Sequence, residues 1–112
     1  MNSDTLILFT RFGMGDAPPE LQQRLADIFL NLVNKDAPPG AIACYGEGVK
    51  LACEGSPVLE LLKALAGKGV HIILCQTCLD FFGLRESVRV GIIGGMGDIV
   101  TAMSTAAKVI SL

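Results

Sequence analysis

The feature that most constrains this chain is the regular alternation of two apolar patterns along it. Short aliphatic or β-branched runs read as strands: TLILF (Thr5 to Phe9), AIACY (Ala41 to Tyr45), VHIIL (Val70 to Leu74) and the closing KVISL. Between them, apolar residues recur at spacings of three and four. From Pro18 onward, Leu21, Leu25, Ile28, Phe29, Leu32 and Val33 fall on what the spacing predicts to be one helical face, and Pro38-Pro39-Gly40 ends the helix. The stretch YGEGVKLACEG reads as a loop with Val49 and Leu51 turned inward. Ser56-Pro57 has the form of a helix start, a capping hydroxyl followed by proline. That helix carries Leu59, Leu62 and Leu65 and ends around Gly67 to Gly69. After Cys75 a short helix reaches Gly83 or Leu84, and Val88 to Val90 begins a fourth strand. Asp98 is placed to cap a last helix bearing Ile99, Met103, Ala106 and Ala107.

Alternating β and α elements predict an α/β fold, a three-layer α/β/α arrangement around a mostly parallel five-stranded sheet. Residues 1–112 read as a single domain, without repeats, linkers or low-complexity tracts. Strands buried on both faces, together with an apolar subunit interface, account for an apolar content of 51%. No apolar run approaches the ~20 residues of a membrane helix. The start, MNSDT, has neither the basic flank nor the apolar core of a signal peptide. The expectation is a cytoplasmic homo-oligomer with no membrane partner.

Charge and rare residues exclude further classes. Nine Lys+Arg against eleven Asp+Glu give a net charge of −2 with no basic cluster, so nucleic acid is not an expected partner. A single histidine leaves little from which to build a catalytic triad or a multi-histidine metal site. Four cysteines without an export signal are expected to be reduced thiols.

Parallel sheets gather ligands beyond the carboxyl ends of their strands. Cys75 falls at that edge, as do the turns Gly13-Met14-Gly15-Asp16 and Gly94-Gly95-Met96-Gly97. A thiol at a helix N-terminus feels unpaired N–H groups and the positive end of the helix dipole, which favour the thiolate. Cys75 is therefore the expected nucleophile, and Cys78 is close enough to act as a resolving thiol. Two buried packing atoms remain the alternative. A zinc site needs a second cysteine pair, and Cys44 and Cys53, with eight residues between them, do not form a second CxxC. Neither a metal nor a cofactor is expected. His71 shares strand parity with Cys75 but lies about 13 Å away, too far for acid–base pairing. The Gly-rich turns lack the third glycine of a dinucleotide fingerprint and the lysine of a phosphate loop. They fit tight turns with close backbone approach to a small ligand.

The run GVHIILCQTCLDFFGL resembles the signature "GVeIlxCGTCLdyygL" of the DsrE-like domain in the YedF selenium-metabolism family, part of the DsrE/DsrF-like sulfur-relay superfamily. MGDAPPEL is similar to the family's first Gly-rich turn, GVKLACEGSPVLELLKAL to its GVKLxxEGS loop and helix, and VGIIGGMGDIV to its VGxxsNMYeI segment. Gln76 replaces a glycine of CGTC, Gly46 stands where asparagine is usual, and the last turn keeps Met96 but loses the Asn and Tyr beside it. The resemblance implies a three-layer DsrE fold in proteins often found as oligomers. It implies a persulfide on Cys75, Cys78 as the second thiol, and sulfur or selenium donor and acceptor proteins as partners. On the same resemblance, small-ligand contacts fall at Gly13, Met14, Gly48 and Met96. Three functions follow: a sulfurtransferase-like sulfur or selenium carrier, a CxxC thiol–disulfide oxidoreductase, or a non-catalytic small-ligand or protein-binding module.

Overall fold

The computed structural model describes residues 1–112. Five strands, β1 (Thr5–Phe9), β2 (Ala41–Cys44), β3 (His71–Cys75), β4 (Ile92–Gly94) and β5 (Lys108–Ser111), form one sheet in the order β4-β3-β2-β1-β5. Every neighbouring pair is parallel, so the sheet expected to be mostly parallel is wholly so. The helices are α1 (Pro19–Lys35), α2 (Leu59–Gly67), α3 (Gln76–Phe82) and α4 (Met96–Thr105), with 3-10 turns at Gly46–Ala52 and Arg85–Ser87. None is long and apolar enough to cross a membrane.

The register sorts the core into two faces. Ile7, Ile42 and Ile72 lie side by side, as do Phe9, Cys44 and Leu74. The Phe9 ring meets Phe29 edge-on at 6.5 Å, which places this face beneath α1. α2 lies alongside α1, tied to it by Asn34 Nδ2–H donating to the Leu61 carbonyl at 3.2 Å. Strand alternation turns Leu6, Leu8, Ala43, Ile73 and Cys75 to the opposite face. The β4-to-β5 connection runs back across the whole sheet, opposite in sense to the others. A right-handed crossover therefore carries α4 to that second face, where Ile99 is fully buried. These are the three layers expected.

Several boundaries differ from the expectation. α1 does not bury its apolar residues on one side: Ala26, Leu30 and Val33 enter the core, whereas Leu21, Leu25, Ile28 and Leu32 are exposed. The helix carries two apolar stripes, and one sheet face covers only one of them. The fourth strand starts at Ile92; Val88 makes only an isolated antiparallel bridge with Cys53, because residues 84–90 belong to the return connection and bond to the Ala52 and Glu54 backbone instead. Ser56 Oγ accepts the Val58 N–H at 3.2 Å in a turn before α2, which begins at Leu59. Asp98 is not the residue before α4 but lies within its first turn, where its carboxylate accepts the Gly95 N–H at 2.9 Å. YGEGVKLACEG is not an open loop: Gly46–Ala52 winds into a 3-10 helix that buries Val49 and Leu51, as their apolar character required.

Candidate functional site

β3 is the middle member of the β4-β3-β2 run, and its last residue, Cys75, pairs with Gly94 across the sheet. Cys75 has extended backbone and α3 begins at the next residue, so the strand-to-helix junction falls between the two thiols. Cys75 is 1% exposed. The expected nucleophile is thus closed off from solvent at the end of β3. Cys78, one turn into α3, is half-buried, and its Sγ accepts the Gly46 N–H at 3.1 Å. The two sulfurs are close enough to hydrogen-bond one another.

The Cys78 thiol is pushed above its usual value, first by burial and then by its hydrogen bond with Cys75. The Gly46 N–H pulls the other way without reversing the shift. For Cys78, then, desolvation outweighs the thiolate-favouring helix end, and the resting group is a thiol. Gly46 sits at φ +59, a left-handed conformation that asparagine also tolerates. That turn is what aims the Gly46 N–H at Cys78.

The other two cysteines occupy different surroundings. Cys44 is wholly buried between the sheet and the α1–α2 layer, and burial, with Cys53 nearby, pushes its thiol up to about 12. Cys53 donates its S–H to the Val49 carbonyl at 3.3 Å; burial raises its pKa and Arg89 partly offsets the rise. No group of three or more His, Cys, Asp or Glu side chains converges as metal ligands would.

The remaining expected contacts lie on three different segments, and Gly48 shares the Gly46–Ala52 turn that meets Cys78. Gly13 and Gly48 are both buried where another backbone passes closely: a Cβ at Gly13 would overlap Gln22, and one at Gly48 would overlap the Phe9 carbonyl. Packing alone demands these two glycines. The Met14 N–H donates to the Gln22 carbonyl at 3.0 Å, and Met96 stands exposed at the start of α4. His71 is exposed at the opposite end of β3 from Cys75.

Two features were not foreseen. The first is the Gly46 N–H, a backbone donor that leaves no trace in side-chain pattern. The second is the surface beside α3, where Lys50 Nζ sits 4.6 Å above the Phe82 ring and pairs with Glu47 at 3.1 Å. A cleft of about 230 Å³ opens next to it between Phe12, Lys50, Cys53, Glu54, Gly55 and Leu84. Phe81 projects from the same helix, 82% exposed.

The profile of the DsrE/DsrF-like family matches residues 14–112. The chain belongs to the DsrE/DsrF-like family. Solved structures agree with the fold: the ychN protein of E. coli superposes with a TM-score of 0.70 at 18% identity, over 96% of this chain and 97% of that one. MTH1491 of Methanobacterium thermoautotrophicum, a protein of unknown function, gives 0.64 at 18% identity over 96% and 98% of the two chains. BT1422 of Bacteroides thetaiotaomicron, likewise of unknown function, gives 0.65 at 18% over 97% and 95%. At that identity the likeness is one of fold. No curated protein sequence matches the chain. The DsrE/DsrF-like family is known in sulfur relay, and in this member the paired thiols lie at the carboxyl edge of the sheet.

Proposed function

We propose that this DsrE/DsrF-like chain carries sulfur or selenium between a donor and an acceptor protein on the Cys75–Cys78 pair, with Cys78 as the entry thiol. The observation that supports this most is the contrast among the four cysteines. Cys78 alone is not fully buried, it accepts a backbone N–H, and it has a second thiol behind it. Its thiolate attacks the outer sulfur of a donor persulfide, R–S–SH. A sulfur–sulfur bond forms to Cys78, the donor bond breaks, and R–S⁻ leaves and takes up a proton. The Gly46 N–H is placed to hydrogen-bond the Cys78 thiolate before attack. In the forward step an acceptor thiolate takes the outer sulfur and Cys78 thiolate departs. Alternatively Cys75 attacks Cys78 Sγ and expels HS⁻, leaving a disulfide that a dithiol reductant reopens. Selenium follows the same nucleophilic course, and the likeness of GVHIILCQTCLDFFGL to the YedF signature supports that extension. The same reading includes self-association of the chain and a cytoplasmic setting.

The test is intact mass under non-reducing conditions after incubation with a low-molecular-weight persulfide. Wild type should gain one sulfur atom, mapped to Cys78. Cys78→Ser should gain none, and Cys75→Ser should keep the adduct longer, because it lacks the thiol that expels sulfide. An adduct that survives in Cys78→Ser but vanishes in Cys75→Ser would return the carrier role to Cys75. A reversible Cys75–Cys78 disulfide with no persulfide at any stage would make the chain a thiol–disulfide oxidoreductase. Two thiols unreactive in the native state would leave a binding module.

A further inference from the structure

α1 presents a second apolar stripe that the rest of the chain leaves largely open, the Gly15 turn touching it only at Leu25. Leu21, Leu25, Ile28 and Leu32 are between 37 and 61% exposed, although they lie on a helix whose other stripe anchors the core. Their spacings of four, three and four residues follow the seam of a helix pair rather than the scatter of ordinary surface leucines. Asn34, bonded to Leu61, fixes α1 against α2 on its other side, so the stripe cannot roll inward.

We propose that this stripe is a two-fold interface with a second copy of the same chain, the two α1 helices packing antiparallel. The spacing carries the choice of partner, because four-three-four reads the same from either end. An antiparallel copy sets Leu21 against the partner's Leu32 and Leu25 against the partner's Ile28, so the stripe is complementary to itself. Charge carries the choice of direction. Glu20 stands in the first turn of α1 and Lys35 in the last. In the antiparallel pair each Glu20 approaches the partner's Lys35, and each Arg24 comes near the partner's Asp27. A parallel pair would instead bring like helix ends together and leave these charges without a partner across the seam. A 17-residue helix is about 25 Å long, so the four aliphatic side chains form the centre of the contact and the charged residues its rim. This assignment takes up the self-association proposed above and names its surface, and it does not depend on the thiol chemistry.

The experiment is light scattering with size-exclusion chromatography on the full chain, with circular dichroism to confirm the fold. Leu25→Glu combined with Ile28→Glu should halve the wild-type mass at equal concentration and weaken association about a hundredfold or more, with helix content unchanged. Both side chains are already exposed, so the substitutions leave the core intact. Lys35→Glu alone should weaken the pair, and Glu20→Lys added to it should restore it; restoration is what an antiparallel arrangement requires. A wild-type chain that stays monomeric at millimolar concentration overturns self-association altogether. An oligomer whose mass survives the double substitution leaves self-association standing and overturns this surface.

Discussion

The chain holds two pairs of cysteines, and the pairs differ in one member: Cys78 alone among the four is not fully buried. Cys44 and Cys53 lie beneath the α1–α2 layer and the 3-10 turn; their thiols are raised by burial, Cys44 to about 12. Cys75 and Cys78 lie where β3 becomes α3, with one sulfur covered and the other half-open under the Gly46 N–H. The same side chain is thus a packing atom in one place and a candidate for chemistry in the other. What sets Cys78 apart is its partial exposure and a single backbone donor from the Gly46–Ala52 turn. That turn ends at the residue before Cys53, contains the N–H that meets Cys78, and passes close over β1 through Gly48.

Alkylation of the native protein with mass mapping separates Cys78 from the buried cysteines most directly. At pH 8, Cys78 should label about a thousandfold faster than Cys44 or more, because Cys44 is both closed off and almost wholly protonated. Comparable rates would erase the distinction between the pairs. Gly48→Ala should destabilise the fold by about 3 kcal/mol in denaturant titration, since its Cβ would overlap the Phe9 carbonyl and displace the turn that serves both pairs. Cys78 labelling should change in the same variant while it is still folded.

Cys44→Ala sharpens the comparison through pH. At neutral pH it should cost about 1 kcal/mol, the loss of one buried heavy atom. Above pH 9 the sign turns. In the native state Cys44 holds its proton to about 12, whereas the unfolded chain releases it near 9. The native state then binds more protons, and wild-type stability falls as pH rises through that window. The variant should lack this part of the fall, so the two stability curves should converge and cross between pH 9 and 12. Parallel curves would mean that Cys44 is not buried as described. The smallest effect belongs to Lys50→Ala. Losing its contact with the Phe82 ring and its surface pair with Glu47 should cost about 0.5 kcal/mol in thermal or denaturant unfolding, with Cys78 labelling unchanged.

Much of the architecture was legible in the order of apolar patterns. TLILF, AIACY, VHIIL and KVISL each supplied a strand, and their alternation with helical spacing was enough for a parallel sheet in three layers. The errors cluster where local pattern and long-range packing compete. VRV looks like a strand, yet it lies in the return connection before β4 and pairs with the Cys53 segment instead. Leu21 to Val33 looked like one face because apolar spacing does not reveal how wide a surface waits opposite. At the site, the sequence picked out the two thiols and their strand-to-helix setting, with Cys75 as the expected nucleophile, but could not say which sulfur reaches solvent. Tertiary packing decides that point: it covers Cys75 and leaves Cys78 half-open.

What the sequence determined alone is the set of elements, their order and the closeness of Cys75 to Cys78, because periodicity and separation of three residues act over a single turn of chain. The tertiary structure decided which stripe of α1 meets the core, which thiol reaches solvent, and which glycines are required by a passing backbone. Burial and exposure belong to whatever packs across from a residue, and at these positions the packing partner comes from a distant stretch of the chain.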